Sequence, residues 1–132
     1  MGRVRKEAIV QYILLIYGDE NAWEAVPPEE RAKSMQEWFD YTQWLRDKGW
    51  YVAGEALHPT GRATTVRVRD GETLTTDGPF AETKEQLGGY YVVETENLDD
   101  AIQAAARCPP ADPPPAAIRS GSTPSRAAFF RT

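Results

Sequence analysis

The segment spanning residues 76–91, TDGPFAETKEQLGGYY, constrains this chain more than any other. It sets a turn, the four charged residues Asp77, Glu82, Lys84 and Glu85, and a double glycine between two strand-like runs. Gly78 tolerates a positive φ, while Pro79 fixes its own φ and keeps Gly78 out of the helical region, so Asp-Gly-Pro-Phe reads as a tight turn. Phe80 is then expected to act as a hydrophobic pin. Residues 81–86 are rich in helix formers but run into Gly88-Gly89, which predicts a short helical turn with a glycine stop.

The flanking sequence supplies the frame. Residues 9–17 are rich in Ile, Leu, Val and Tyr and too few for a typical helix, which predicts a mostly buried strand. Pro27-Pro28-Glu29-Glu30 carries the proline and acidic first-turn signature of a helix start. Ala32, Met35, Trp38, Phe39, Thr42 and Leu45 recur at spacings of three and four, so an amphipathic helix is expected over 28–48, stopped by Gly49. Strands are expected at 50–57 and 63–69, and Asp70-Gly71 marks a hairpin turn into a fourth strand at 72–76. A fifth strand at 90–95 precedes a second helix, capped by Asn97 or Asp99 and running to about Arg107. The order β, α, β, hairpin, β, α is that of an α+β ferredoxin-like domain with an inserted β-hairpin.

Thr76 to Tyr91, together with Gly54-Glu55-Ala56-Leu57-His58-Pro59-Thr60, Thr64-Thr65-Val66-Arg67 and the opening Tyr12-Ile13-Leu14-Leu15-Ile16-Tyr17, resembles the DGPF branch of the YCII-related family. The resemblance implies a dimeric α+β barrel, in which two ferredoxin-like sheets pack face to face. An open sheet needs its apolar second face covered, and the aromatic strand residues here fit such a homodimer. A domain over residues 9–108 would then be followed by an atypical proline-rich tail over 109–132. The family leads one to expect a last strand after the second helix, but Pro109-Pro110-Ala111-Asp112-Pro113-Pro114-Pro115 cannot supply ladder hydrogen bonds. The tail is therefore expected to diverge from the fold, extended along the surface or along a neighbouring chain.

Composition narrows the function. A formal charge of −5 argues against nucleic acid, whose phosphates need a surplus of Lys and Arg on one face. The longest apolar run is far too short to span a bilayer, and the basic start lacks the apolar segment of a signal peptide, so no membrane association and a cytoplasmic location are expected. A single cysteine, Cys108, excludes an intrachain disulfide. No zinc, P-loop or dinucleotide spacing is present, so neither a metal nor a cofactor is expected.

His58 is the only histidine and thus the default general base; its place after a strand and before Pro59 lets a loop present it. Asp77 is the second catalytic candidate, to orient the imidazole or to exchange a proton itself; its plainer role is to cap the N–H groups of Phe80 or Ala81. Glu55 lies within an apparent strand, where an inward acid needs a partner, and Lys84 is the candidate for it. Glu82 and Tyr17 complete the expected ligand-binding set, although Glu82, Lys84 and Glu85 equally describe a solvated face. Tyr12, Tyr90 and Tyr91 with Trp50 are candidates for an aromatic pocket, and equally for core or dimer interface. The wider family has been discussed as enzyme-like for a His and Asp pair near its first strand and helix, but here Tyr17 is followed by Asp19 and no histidine. Two functions are therefore expected as alternatives. One is a cofactor-free enzyme moving a proton on a small, aromatic or lactone-like molecule, by analogy with the barrel superfamily. The other is a non-catalytic ligand-binding or regulatory module linked to sigma-factor signalling, as the DGPF resemblance implies.

Overall fold

The structure, a computed structural model, describes residues 9–110 and the backbone of residues 127–131. Strand β1 (Val10–Gly18) alternates strictly: Tyr12, Leu14, Ile16 and Gly18 are buried, while Ile13, Leu15 and Tyr17 lie on the opposite face. Its partner β5 (Gln86–Thr95) runs antiparallel to it, with Leu14 opposite Tyr91 and Tyr12 opposite Val93. β2 (Tyr51–Ala56) pairs antiparallel with the far side of β5, and β6 (Ala127–Arg131) with the far side of β1. The sheet order is β2-β5-β1-β6. β1 and β2 are each antiparallel to β5 and hence parallel to one another, so the helix between them makes a split crossover straddling β5.

That helix, α2 (Pro28–Asp47), starts at a proline with Glu29 and Glu30 in its first turn, where carboxylates meet the positive end of the helix dipole. It ends on Gly49, at φ 75°, with Gly49 N–H donating to Arg46 and Trp50 N–H to Leu45. Helix α3 (Leu98–Ala106) is capped by Asn97, whose side chain accepts from Asp100 N–H. Both helices cover one face of the sheet. The core between them holds Tyr12, Leu14, Ile16, Tyr41, Leu45, Val93, Ala101, Ala104 and Cys108. Tyr41 pins α2 to α3 by donating its hydroxyl to the Ala104 carbonyl at 2.6 Å. The inward stripe of α2 is Ser34, Tyr41 and Leu45 with Trp38 packed beside them, whereas Met35 and Phe39 of the expected stripe are exposed. Tyr41 accounts for this rotation, since its reach to α3 sets which side of α2 faces in.

The hairpin β3 (Thr64–Arg69) and β4 (Glu72–Asp77) forms a separate two-stranded sheet, turned by Asp70 and Gly71 at φ 53° and 78°. Every residue of its strands except Thr65 is exposed. The Asp-Gly-Pro-Phe turn does form: Gly78, at φ 99°, donates its N–H to Ala63 and accepts the Thr65 hydroxyl.

Three expectations fail. Residues 81–85 hold no helical turn, and Gly88-Gly89 is no helix stop, because β5 already begins at Gln86. The pair lies instead at a register shift against β1, and a Cβ on Gly89 would stand 2.9 Å from the Glu55 carbonyl oxygen, so glycine there serves the close approach of β5 to β2. Phe80 pins nothing; it is 80% exposed. Finally, the last strand of the fold exists: Ala127–Arg131 lies antiparallel to β1, with Ile16 opposite Ala127 and Tyr12 opposite Arg131. The proline run only postpones it, and residues 111–126 of the expected tail lie outside the described residues.

Candidate functional site

Where the helical cover of the sheet runs out, the C-terminal ends of β1 and β2 and the start of β5 border a cavity of about 470 Å³ beneath α1 (Glu20–Glu24) and the first half of α2. Its inner wall is aromatic. Trp38 stacks on Tyr91, with centroids 6.2 Å apart and planes 10° from parallel, and Trp23, Met35 and Ile16 continue the lining. The Tyr91 ring is gripped from further sides by the edges of Tyr41 and Tyr51, and its hydroxyl shares a 2.6 Å hydrogen bond with Thr42. Burial, partly offset by that bond, raises its pKa. Gly54 makes room for the ring, since a Cβ there would fall 2.7 Å from Tyr91 Cδ1.

The outer end of the cavity is clasped by polar groups. Asp19, directly after β1, caps α1 by accepting the N–H groups of Asn21 and Ala22. Glu20 then reaches across to the loop after β2, where Thr60 donates its N–H to Oε2 at 3.0 Å and its hydroxyl to Oε1 at 2.6 Å. The Glu20 N–H in turn donates to Gln86 Oε1, and Gln86 Nε2 donates to the Thr83 carbonyl. One acidic residue thus ties α1 to the β2 loop and to the start of β5.

His58 lines this cavity from the loop after β2 and is exposed, so an incoming molecule meets its imidazole. Glu55 borders the cavity as well, but in the ladder it stands opposite Tyr90, so its side chain shares the other face of the sheet with Tyr90 and Leu15. Asp77 does not line the cavity. It closes the hairpin opposite Thr64, is exposed, and its carboxylate accepts no hydrogen bond from Phe80, Ala81 or any other described residue. Lys84 and Glu82 are exposed and also outside the lining, and Glu55 and Lys84 form no ion pair. Tyr17 points to the uncovered face of the sheet. Of the tyrosines considered, only Tyr91 reaches the cavity; Tyr12 is core, Tyr90 lies on the opposite face, and Trp50 packs edge-on against Trp44. The structure therefore places His58, Glu55 and Tyr91 on the border of one cavity and leaves Asp77, Lys84, Glu82 and Tyr17 elsewhere. Sequence reasoning missed Glu20, Thr60, Trp23 and Trp38, although a glycine inside strand β2 was a signal that something large approaches there.

Among the described residues no group of three or more His, Cys, Asp or Glu stands close enough to hold a metal ion, and no helix is long and apolar enough to cross a membrane. Cys108 is buried between the helices, and burial pushes its thiol up to about 12.

A four-stranded antiparallel sheet in this order, helices on one face and an aromatic cavity at the open end define a ferredoxin-like α+β protein. The chain belongs to the YCII-related domain family, which it matches over residues 10–119. It is also similar to an uncharacterized protein of Rhizobium meliloti (strain 1021), at 37% identity over 102 residues covering 77% of this chain and 82% of that one.

Proposed function

We propose that the cavity binds a small, flat organic molecule and that His58 moves a proton on it without a cofactor. The observation that carries this reading is the placement of the chain's only imidazole on the lining of an aromatic cavity whose lining also holds a carboxylate, Glu20, oriented by Thr60. An exposed imidazole on the cavity rim is placed for general acid–base work. The sequence motifs favour the DGPF branch of the family. The uncovered sheet face, with Ile13, Leu15, Tyr17, Tyr90 and Val92 all half-buried, favours a homodimer closing a barrel.

The test is proton exchange. Aromatic ketones and lactones with acidic C–H groups are incubated with the protein in D2O and followed by NMR; enzyme-dependent deuteration should fall by about 10²-fold or more in His58→Gln. Exchange that survives the substitution unchanged removes His58 from the chemistry. A second reading has its own support: Asp19 and Glu20, the carboxylates of the clasp, are committed to structural hydrogen bonds, as in a module that binds without turnover. Saturable binding with no exchange on any member of the panel favours that reading, a non-catalytic ligand-binding or regulatory module of the kind the DGPF resemblance links to sigma-factor signalling.

A further inference from the structure

Resting on the reading of the cavity as a ligand site, the geometry points to a ligand class: an arylalkylamine, a flat ring bearing a short aminoalkyl arm, bound as a cation with its ring against the aromatic wall and its ammonium on Glu20. Three observations lead there. The inner wall is lined by the aromatic side chains Trp23, Trp38 and Tyr91, a residue type that attracts a cation as well as a ring. Among the described residues lining the cavity there is no Lys or Arg, so a carboxylate or phosphate entering it loses its hydration against His58 alone. Glu20 stands in the lining with each oxygen holding one hydrogen bond from Thr60, which fixes the carboxylate and leaves further lone pairs to accept an ammonium.

The other acids do not compete for this role. Asp19 is spent on the N–H groups of α1, and Glu55 shares the opposite sheet face with Tyr90. Glu24 sits exposed at the end of α1, where it adds negative potential at the mouth without a fixed geometry. One lining ring already carries a cation on its outer side: the Arg31 guanidinium lies 5.7 Å from the centre of the Trp23 ring, while its Nη2 donates to the Glu24 carbonyl at 2.8 Å. That guanidinium is outside the cavity lining and is already engaged there. A volume of about 470 Å³ suits one or two fused rings with a short side chain.

The test uses three probes with one ring system: 1-naphthylmethylamine, 1-naphthol and 1-naphthoate, titrated at pH 8 and read by broadening of the probe's NMR lines. The amine is expected to bind about tenfold or more tightly than the naphthoate, the ratio of one partly screened charge contact, with the naphthol between them. Glu20→Gln should erase most of that ratio while leaving naphthol binding in place, and Trp38→Ala should weaken all three. Naphthol binding with no preference for the amine, or with a preference for naphthoate, overturns the ligand class and leaves the cavity reading intact. Failure of all three probes to bind overturns the cavity reading itself. Should Glu20→Gln lose its native circular dichroism, the salt dependence of the wild-type ratio replaces it: an amine-to-naphthoate ratio that falls several-fold in about 0.5 M salt supports the charge contact, and a ratio that salt leaves unchanged rejects it.

Discussion

Gly54→Ala tests whether Tyr91 is as tightly held as its neighbours imply. The added Cβ would stand 2.7 Å from Tyr91 Cδ1, 3.0 Å from Cε1 and 3.1 Å from the Tyr90 carbonyl oxygen. Comfortable carbon–carbon contact is about 3.5–4.0 Å, so the ring must retreat by roughly 1 Å. It has nowhere to go without loss: Trp38 stacks on one side, Tyr41 and Tyr51 present edges on others, and the hydroxyl is bonded to Thr42. Overpacking of this kind costs about 1–3 kcal/mol, and weakening the hydroxyl bond about 1 kcal/mol more. Restricting the unfolded chain returns about 0.5 kcal/mol. A net loss of about 2–3 kcal/mol should lower Tm by roughly 6–12 °C in a domain of this size. The assay is thermal unfolding followed by circular dichroism, with Gly88→Ala as the matched control, because a Cβ there meets only the Ile16 carbonyl oxygen, at 3.8 Å. The control should stay within about 0.5 kcal/mol of wild type. In a Tyr91→Ala background the Gly54→Ala penalty should largely vanish, which ascribes it to the ring. Equal melting temperatures for Gly54→Ala and Gly88→Ala would refute the reasoning.

Two further outcomes are expected. Stability should fall as the pH is raised from about 9 towards 12: the folded state holds the Cys108 proton up to about 12, whereas the unfolded thiol releases it near its ordinary value, so above that value the unfolded state binds fewer protons and is favoured by rising pH. Tyr41, raised chiefly by burial, adds to the decline above about 10; urea midpoints at pH 8 and 10.5 should therefore converge in Cys108→Ala relative to wild type, and parallel losses in the two proteins would contradict the assignment. Light scattering at micromolar concentration should give a mass twice the 14.8 kDa of one chain, and Leu15→Glu, which sets a charge in the centre of the uncovered sheet face, should halve it; a wild-type mass of one chain would dispose of the barrel dimer.

What the sequence made legible follows from the range of the forces involved. β1, α2, the hairpin and α3 are set by local periodicity, by Gly49 and Asp70-Gly71, and by the Asn97 cap, all of which act within a few residues. Gly88-Gly89 shows the opposite case. The same dipeptide serves a helix stop or a close strand approach, and what decides is the Glu55 carbonyl, which is distant in sequence. β6 was hidden for a related reason: proline density forbids a strand locally, but it says nothing about Ala127–Arg131 beyond it. In the site, His58 was legible because it is the chain's only imidazole. Glu20 was not, since it reads only as part of the polar stretch that ends the first strand until the fold brings Thr60, forty positions away, against both its oxygens.

Tyr91 belongs at once to the core and to the cavity. Its partners Tyr41 and Tyr51 pack within the helix-covered core, while its stacked partner Trp38 faces the open end. A ring held this way cannot rotate to admit a ligand, so the inner wall keeps its shape and selection must fall to the outer end, where α1 has only five residues and no buried side chain. The clasp of Asp19, Glu20, Thr60 and Gln86 compensates for that thin cover: it holds α1 by hydrogen bonds where packing cannot. On the proposed reading, a ligand at Glu20 would act on the seating of α1, with the aromatic wall as the fixed element.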